Sequence, residues 1–344
     1  MPATLFARAV VRRSIVLLAT LQAIASLTVA CADGLPTDGR LPDIHGQESE
    51  SANRAWSDDA PRSVSAAAAE LALSHVQSGF RLGRRGAFYS ARLEFVSALR
   101  MLTQALDAPT HGTPHAEALA RGFRALQESD DFVPRGLDLE TELDLAGIVA
   151  IHRTPILKDR SASELTSLIA LRHYYTYAQQ QLAAAAGREP VGSMAFYGLA
   201  RVETALGRQE PNRHPAASPK AITLHQASLL VDQHNYAAAN ELGVLLVRHG
   251  RLVEAQQIFQ HSLDAAPTRA AWQNLAALHR KLGQPELAAI ADEQARALAA
   301  GPTGRGPRVA GDGASPAEWL DPAQFARSRP GKGPLGRKGQ QPDR

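Results

Sequence analysis

The sequence predicts an all-α protein framed by two polar, Gly- and Pro-rich ends. Between residues 62 and 300, one stretch after another carries apolar residues three and four apart, the spacing of a helix face, and none alternates as a strand would. The joints between stretches fall at Gly, Pro or Asn, as at Pro109, Gly187–Pro190, Pro211–Pro215 and Pro267. The apolar content is rich in Ala and Leu with aromatics at 5%, a mix that suits helices packed on small side chains better than a β-sandwich.

In chain order, Arg8, Arg12 and Arg13 precede an uncharged, mostly apolar run from Ile15 to Ala30, and Ala30-Cys31-Ala32 supplies a small-x-small site. Residues 1–32 therefore read as a secretory signal, the run being short for a membrane span. Its fate stays open between cleavage after Ala32, retention as an anchor, and lipidation of Cys31. Thr28-Val29-Ala30-Cys31 resembles a bacterial lipoprotein box, except that Thr28 stands where Leu is usual. Each outcome places the rest outside the cytoplasm, in the periplasm or cell envelope, and membrane contact is expected only through this segment. Cys31 is the single cysteine, so the mature chain has no internal disulfide and depends on packing. The signal takes three of the 37 basic residues and none of the 34 acidic ones, so the formal charge falls from +3 to 0. That excludes the basic excess expected of a nucleic-acid partner.

Residues 33–61, with Gly34, Pro36, Gly39, Pro42 and Gly46, read as a flexible linker, and residues 301–344 as a disordered, Gly/Pro-rich basic tail. Inside the tail, SPAEWLDPAQFAR places Trp319, Leu320 and Phe325 together, either as a docking segment or as chance exposed apolar residues.

Residues 62–300 hold the helical domain. SAAAAELALSHVQSGFRL and FYSARLEFVSALRMLTQAL open it. Residues 110–160 fit no pattern and read as a divergent pair or an inserted element. SLIALRHYYTYAQQQLAAAAGREPVGSMAFYGLARVETALG looks like a hairpin with an enlarged turn, and KAITLHQASLLVDQHN like a second helix running into the next repeat. The His173-Tyr174-Tyr175-x-Tyr177 face reads as core packing.

A sparse pattern recurs. Gly79, Gly86, Ala91, Phe95 and Ala98 keep the same intervals as Gly243, Gly250, Ala255, Phe259 and Ser262, the latter followed by Pro267; Trp272, Leu275, Ala276, Gly283, Ala288 and Ala295 repeat it about 33 residues on. The spacing describes a helical hairpin. Gly79, Gly243 and Ala276 let a second helix approach, while Gly86, Gly250 and Gly283 end the first helix in a left-handed turn. Ala91, Ala255 and Ala288 are the facing small residues, Phe95 and Phe259 fill the space between hairpins, and Pro267 stops the second helix.

This pattern resembles the tetratricopeptide repeat family, whose unit is about 34 residues. The resemblance is strongest over 236–300, good over 72–107 and partial before Tyr236, and Asp292, where the family has an aromatic, marks a polar end cap. It implies an alpha-alpha superhelix in which hairpins share a continuous core and first helices line a groove. The groove candidates are Asn240, Val244, Val247 and Arg248, then Gln273, Asn274, Ala277, Arg280 and Lys281. Amides can bond an extended peptide backbone and the cations can pair with its acidic groups, or all can form a solvated helix face.

Catalytic signatures are missing: no phosphate loop, no H-E-x-x-H, and no cysteine after processing. His111 and His115 lack a third metal ligand at usable spacing, so neither a metal nor another cofactor is expected. Glu140, Glu142 and Asp144 read as a helix start, where acids are favoured. The expectation is a non-enzymatic, exported scaffold binding a protein or peptide. The alternative is an enzyme or enzyme subunit acting on envelope polysaccharide, with a cleft built by residues 110–160 where Glu140, Glu142, His152 and His111 would converge.

Overall fold

The computed structural model describes residues 64–110, 112–133, 143–160 and 165–299. Over these residues the chain forms eleven α-helices and no strand: α1 (Ala66–Arg84), α2 (Phe88–Asp107), α3 (Pro114–Glu128), α4 (Leu145–Ile151), α5 (Ser167–Ala186), α6 (Pro190–Gln209), α7 (Ala217–Val231), α8 (Tyr236–Arg248), α9 (Leu252–Ala265), α10 (Arg269–Lys281) and α11 (Pro285–Ala299). A 3-10 turn, Ser129–Phe132, follows α3. The signal 1–32 with Cys31, the linker 33–61, and the tail 301–344 with Trp319 and Phe325 lie outside the described residues, as do His111, Glu140 and Glu142. Among the described residues no helix is long and apolar enough to cross a membrane.

Five helix pairs carry the packing: α1 with α2, α3 with α5, α6 with α7, α8 with α9, and α10 with α11. Three of them share one turn. Gly86, Gly250 and Gly283 have φ of +77°, +74° and +69°. In each, the residue after the glycine donates its N–H to a carbonyl five back: Ala87 to Leu82, Arg251 to Leu246 and Gln284 to His279. Such a turn satisfies carbonyls that a helix end leaves without partners. Above the turn the helices close on a ring. A Cβ added to Gly79 would stand 2.7 Å from the Phe95 ring, and one on Gly243 2.5 Å from the Phe259 ring. Both rings are buried, with Ala91, Ala255 and Ala288 buried on the facing helices. Trp272 packs half-buried against the same core, and Pro267 lies just past the end of α9.

The α6–α7 pair is built differently. Its connection, residues 210–216, contains no glycine. Its second helix nevertheless repeats the interval: Ala221, His225 and Ser228 stand as Ala255, Phe259 and Ser262 do. Ser228 Oγ donates to the Ser193 carbonyl at 2.9 Å, as Ser262 Oγ donates to that of Tyr236 at 2.8 Å. Asn235 joins this network, donating to both serine hydroxyls while its Oδ1 caps α8 by accepting from Ala238 N–H. Every residue from Ala221 to Leu229 is buried, because α7 is wedged among α5, α6 and α8.

Four pairs follow one another in space. Helix α6 packs on α1 and α2, α7 on α8, and α9 on α10. The first junction is tight: a Cβ on Gly198 of α6 would fall 2.3 Å from the Phe95 ring, so that ring is held between Gly79 and Gly198.

The α3–α5 pair interrupts this order in sequence and packs against the second helices α2 and α7. The hairpin expected from Ser167 onward is thereby corrected: α5 takes α3 as its partner, with residues 129–166 between them, and not α6. Gly122 supplies the reason, since a Cβ there would stand 2.7 Å from Leu182 Cγ, so α3 and α5 cross as closely as α1 and α2. Asp107, the last residue of α2, caps α3 through the His115 and Ala116 N–H groups, both at 2.9 Å. The His115 ring in turn reaches the Ala184 and Ala185 carbonyls at the end of α5.

The last helix is a polar cap only in part. Asp292 pairs with Arg280 at the surface, while Leu287, Ile290 and Leu298 are exposed.

Candidate functional site

The first helices of the four stacked pairs are α1, α6, α8 and α10, and the expected groove residues sit on the last two. Asn240 and Asn274 are buried and bonded to each other, Asn274 Nδ2 donating to Asn240 Oδ1 at 2.8 Å. This bond joins α8 to α10. Val244 and Val247 are half-buried against the core. Arg280 is engaged by Asp292 of its own hairpin. Arg248, Gln273, Ala277 and Lys281 are exposed, and Lys281 Nζ reaches the Val247 carbonyl at 3.5 Å. Gln273 also borders a shallow cleft of about 330 Å³ with Arg269, Asp292 and Arg296.

The same face carries a charged cluster centred on α6. Arg201 is 8% exposed, which forces its charge onto protein partners. Its Nη1 donates to the Tyr197 hydroxyl at 3.1 Å and lies 3.9 Å from Glu241 Oε1 on α8. Burial pushes the Glu241 carboxyl up, against the opposing pull of Arg201, Arg208 and Arg248. Burial, then the neighbouring Arg248 charge, draws the Arg208 guanidinium below its usual range. Tyr197 is pushed up to about 12 by burial. His225, 5.9 Å from Tyr197 between ring centres, is pushed down to about 3 by burial and the Arg201 charge, and its Nδ1 has no hydrogen-bond partner. Arg201, Arg208 and Glu241 were not foreseen from the sequence, although Arg201/Arg208 and Glu241/Arg248 are each seven residues apart, the signature of one helix stripe.

A second polar region lies at the base of the inserted pair, a cleft of about 580 Å³ lined by Arg124, Glu128, Asp130, Asp131, His152 and Arg153, among others. His152 is buried, with Nδ1 2.8 Å from the Tyr174 hydroxyl and Nε2 3.2 Å from Asp131 Oδ2. Tyr174 is fully buried against Phe132, and burial raises its hydroxyl pKa far above the ordinary phenol value. Glu128 accepts from the Arg153 and Thr154 N–H groups at 2.8 and 3.1 Å. Burial pushes its carboxyl up, but the hydrogen bonds outweigh it and hold the group below its usual value. Lys220 of α7 meets Asp130 at 2.6 Å. Of the four residues expected to converge here only His152 lies among those described, and Asp144 caps α4 by accepting from Gly147 N–H. No group of three His, Cys, Asp or Glu residues suited to a metal occurs among the described residues.

No family model and no curated protein matches the chain.

Proposed function

We propose that the chain is an exported, non-enzymatic scaffold of the tetratricopeptide type, binding a protein or peptide along the face formed by its first helices. One observation carries this reading: a hairpin that recurs with the same left-handed glycine turn in three pairs and, in two of them, the same ring-on-glycine closure. Repeated units of this kind stack because a single hairpin cannot bury its apolar face alone, and stacking yields an extended superhelical surface suited to a partner chain. Gln273, Arg248 and Lys281 supply polar contacts there. Export rests on the order of basic, apolar and small residues over 1–32.

A photo-crosslinking side chain at Gln273 or Val244, compared with one at Leu93 or Val253 on the second helices, tests the binding face. Capture of one envelope protein from the first two positions alone is expected; equal capture from all four rejects the groove. Mass spectrometry of the mature N-terminus tests export, with Asp33 or a lipidated Cys31 expected and an intact Met1 rejecting cleavage.

The enzymatic alternative has the cleft beside His152 in its favour. Against it, both His152 nitrogens are engaged and the Tyr174 hydroxyl is buried in its protonated form. We therefore read that cluster as the strut that fixes the inserted segment on α3 and α5.

A further inference from the structure

One acid faces three guanidinium groups between α6 and α8. Arg201 and Arg208 lie seven residues apart, as do Glu241 and Arg248, so each pair occupies one stripe of its helix two turns apart. Helices α6 and α8 are each the first helix of a pair, followed by α7 and α9. The Arg201–Glu241 approach of 3.9 Å brings the two stripes together, and Arg208 and Arg248 lie near enough for one charge to act on the other. The first rung is an ion pair; the second is cation against cation. Neither Arg208 nor Arg248 has an acidic hydrogen-bond or salt-bridge partner among the described residues. The acids along this edge are committed elsewhere: Glu210 to Arg213, Glu254 to Arg251, Asp292 to Arg280. Lys281, reaching the carbonyl beside Arg248, carries the row of cations on to α10.

Like charges set opposite each other at helix ends are tolerated in water, but they attract an oxyanion that can take both forks at once. We propose that the Arg208–Arg248 rung, continued by Lys281, binds side-chain carboxylates of an acidic peptide segment. The inference rests on the groove reading above and names its ligand class. Neighbouring helix axes lie about 8–10 Å apart and an extended peptide advances about 3.3 Å per residue, so acids three residues apart match one cation per helix.

The test uses the full chain and a labelled peptide, acetylated and amidated so that it carries side-chain carboxylates only, with Glu at every third position. Its Gln counterpart and a short inorganic polyphosphate serve as comparisons. Anisotropy should show binding of the Glu peptide that weakens with added salt, and Arg208→Gln with Arg248→Gln should weaken it about 10-fold or more. Arg100→Gln, at an exposed site on α2, should leave it within about twofold. Thermal melts of each variant check folding, and Arg248→Lys, which keeps the charge but loses the fork, should fall between. Equal binding of the Glu and Gln peptides, indifference to the double substitution, or preference of the rung for polyphosphate would overturn the proposal. Crosslink capture from Gln273 with a peptide indifferent to the arginines would sink this inference alone. Loss of capture from the groove would sink the reading beneath it.

Discussion

In α8–α9 the space between the helices is filled by the Phe259 ring lying on Gly243; in α6–α7 the corresponding place is taken by His225 beside Tyr197. The first solution is apolar and closed by a left-handed glycine turn. The second is polar and connected by residues 210–216, and it draws Arg201 and Glu241 into the interior. The difference teaches that the hairpin interval fixes where a side chain will be buried, not what chemistry must fill it. A phenylalanine there contributes area and dispersion. A histidine there costs the desolvation of an unpartnered nitrogen, and it persists because the surrounding packing is already determined.

Removing the ring from the apolar hairpin should have the largest effect. Phe259→Ala is expected to lower stability by about 3–5 kcal/mol, as cavities in close-packed cores do, read from denaturant melts. A loss under about 1 kcal/mol would mean that the ring is not the wedge described.

The polar hairpin should betray itself in acid. His225 is pushed down to about 3 in the folded chain, below its unfolded value near 6.5. The unfolded state therefore binds the extra proton across that window. The stability is fully present above about pH 6.5 and falls as pH drops towards 3, by up to about 1.4 kcal/mol per pH unit. His225→Phe should flatten the stability curve between pH 6 and 4. His249 and His261 are also held low by burial but are present in both proteins, so the difference between the curves isolates His225. Parallel curves would mean that the ring is hydrated.

The smallest effect belongs to the turn. Gly250→Ala should cost about 1 kcal/mol, because an L side chain is strained at φ +74° even with open space around it. Asn212→Ala, in the glycine-free connection, should change stability by less than about 0.5 kcal/mol.

The glycine–phenylalanine interval was legible because a left-handed turn and a close crossing each restrict the residue type at a fixed place. The partner of α5 was not, since residues 129–166 separate it from α3 and short-range spacing cannot cross such a gap. Gly122 carried the clue, but one small residue in a helix names no partner. That pairing also hid the charged cluster. With SMAFYGLARVETAL taken as a return helix, its Arg201 stripe had no reason to join the first-helix face, although both seven-residue intervals stood in the sequence. Asn240 and Asn274 show the converse: polarity suggests an open face, and the two amides are buried and bonded to each other.

The order of the stack rests on α1–α2 and α6–α7 meeting around the Phe95 ring despite the pair inserted between them in sequence. A double-mutant cycle between Gly198→Ala and Phe95→Leu, followed by denaturant unfolding, tests that contact across 103 residues. A methyl group at Gly198 would meet the ring at 2.3 Å, so the double variant should be more stable than the sum of the single effects by about 1 kcal/mol or more. Additivity within about 0.5 kcal/mol would contradict the contact, and with it the order of the stack.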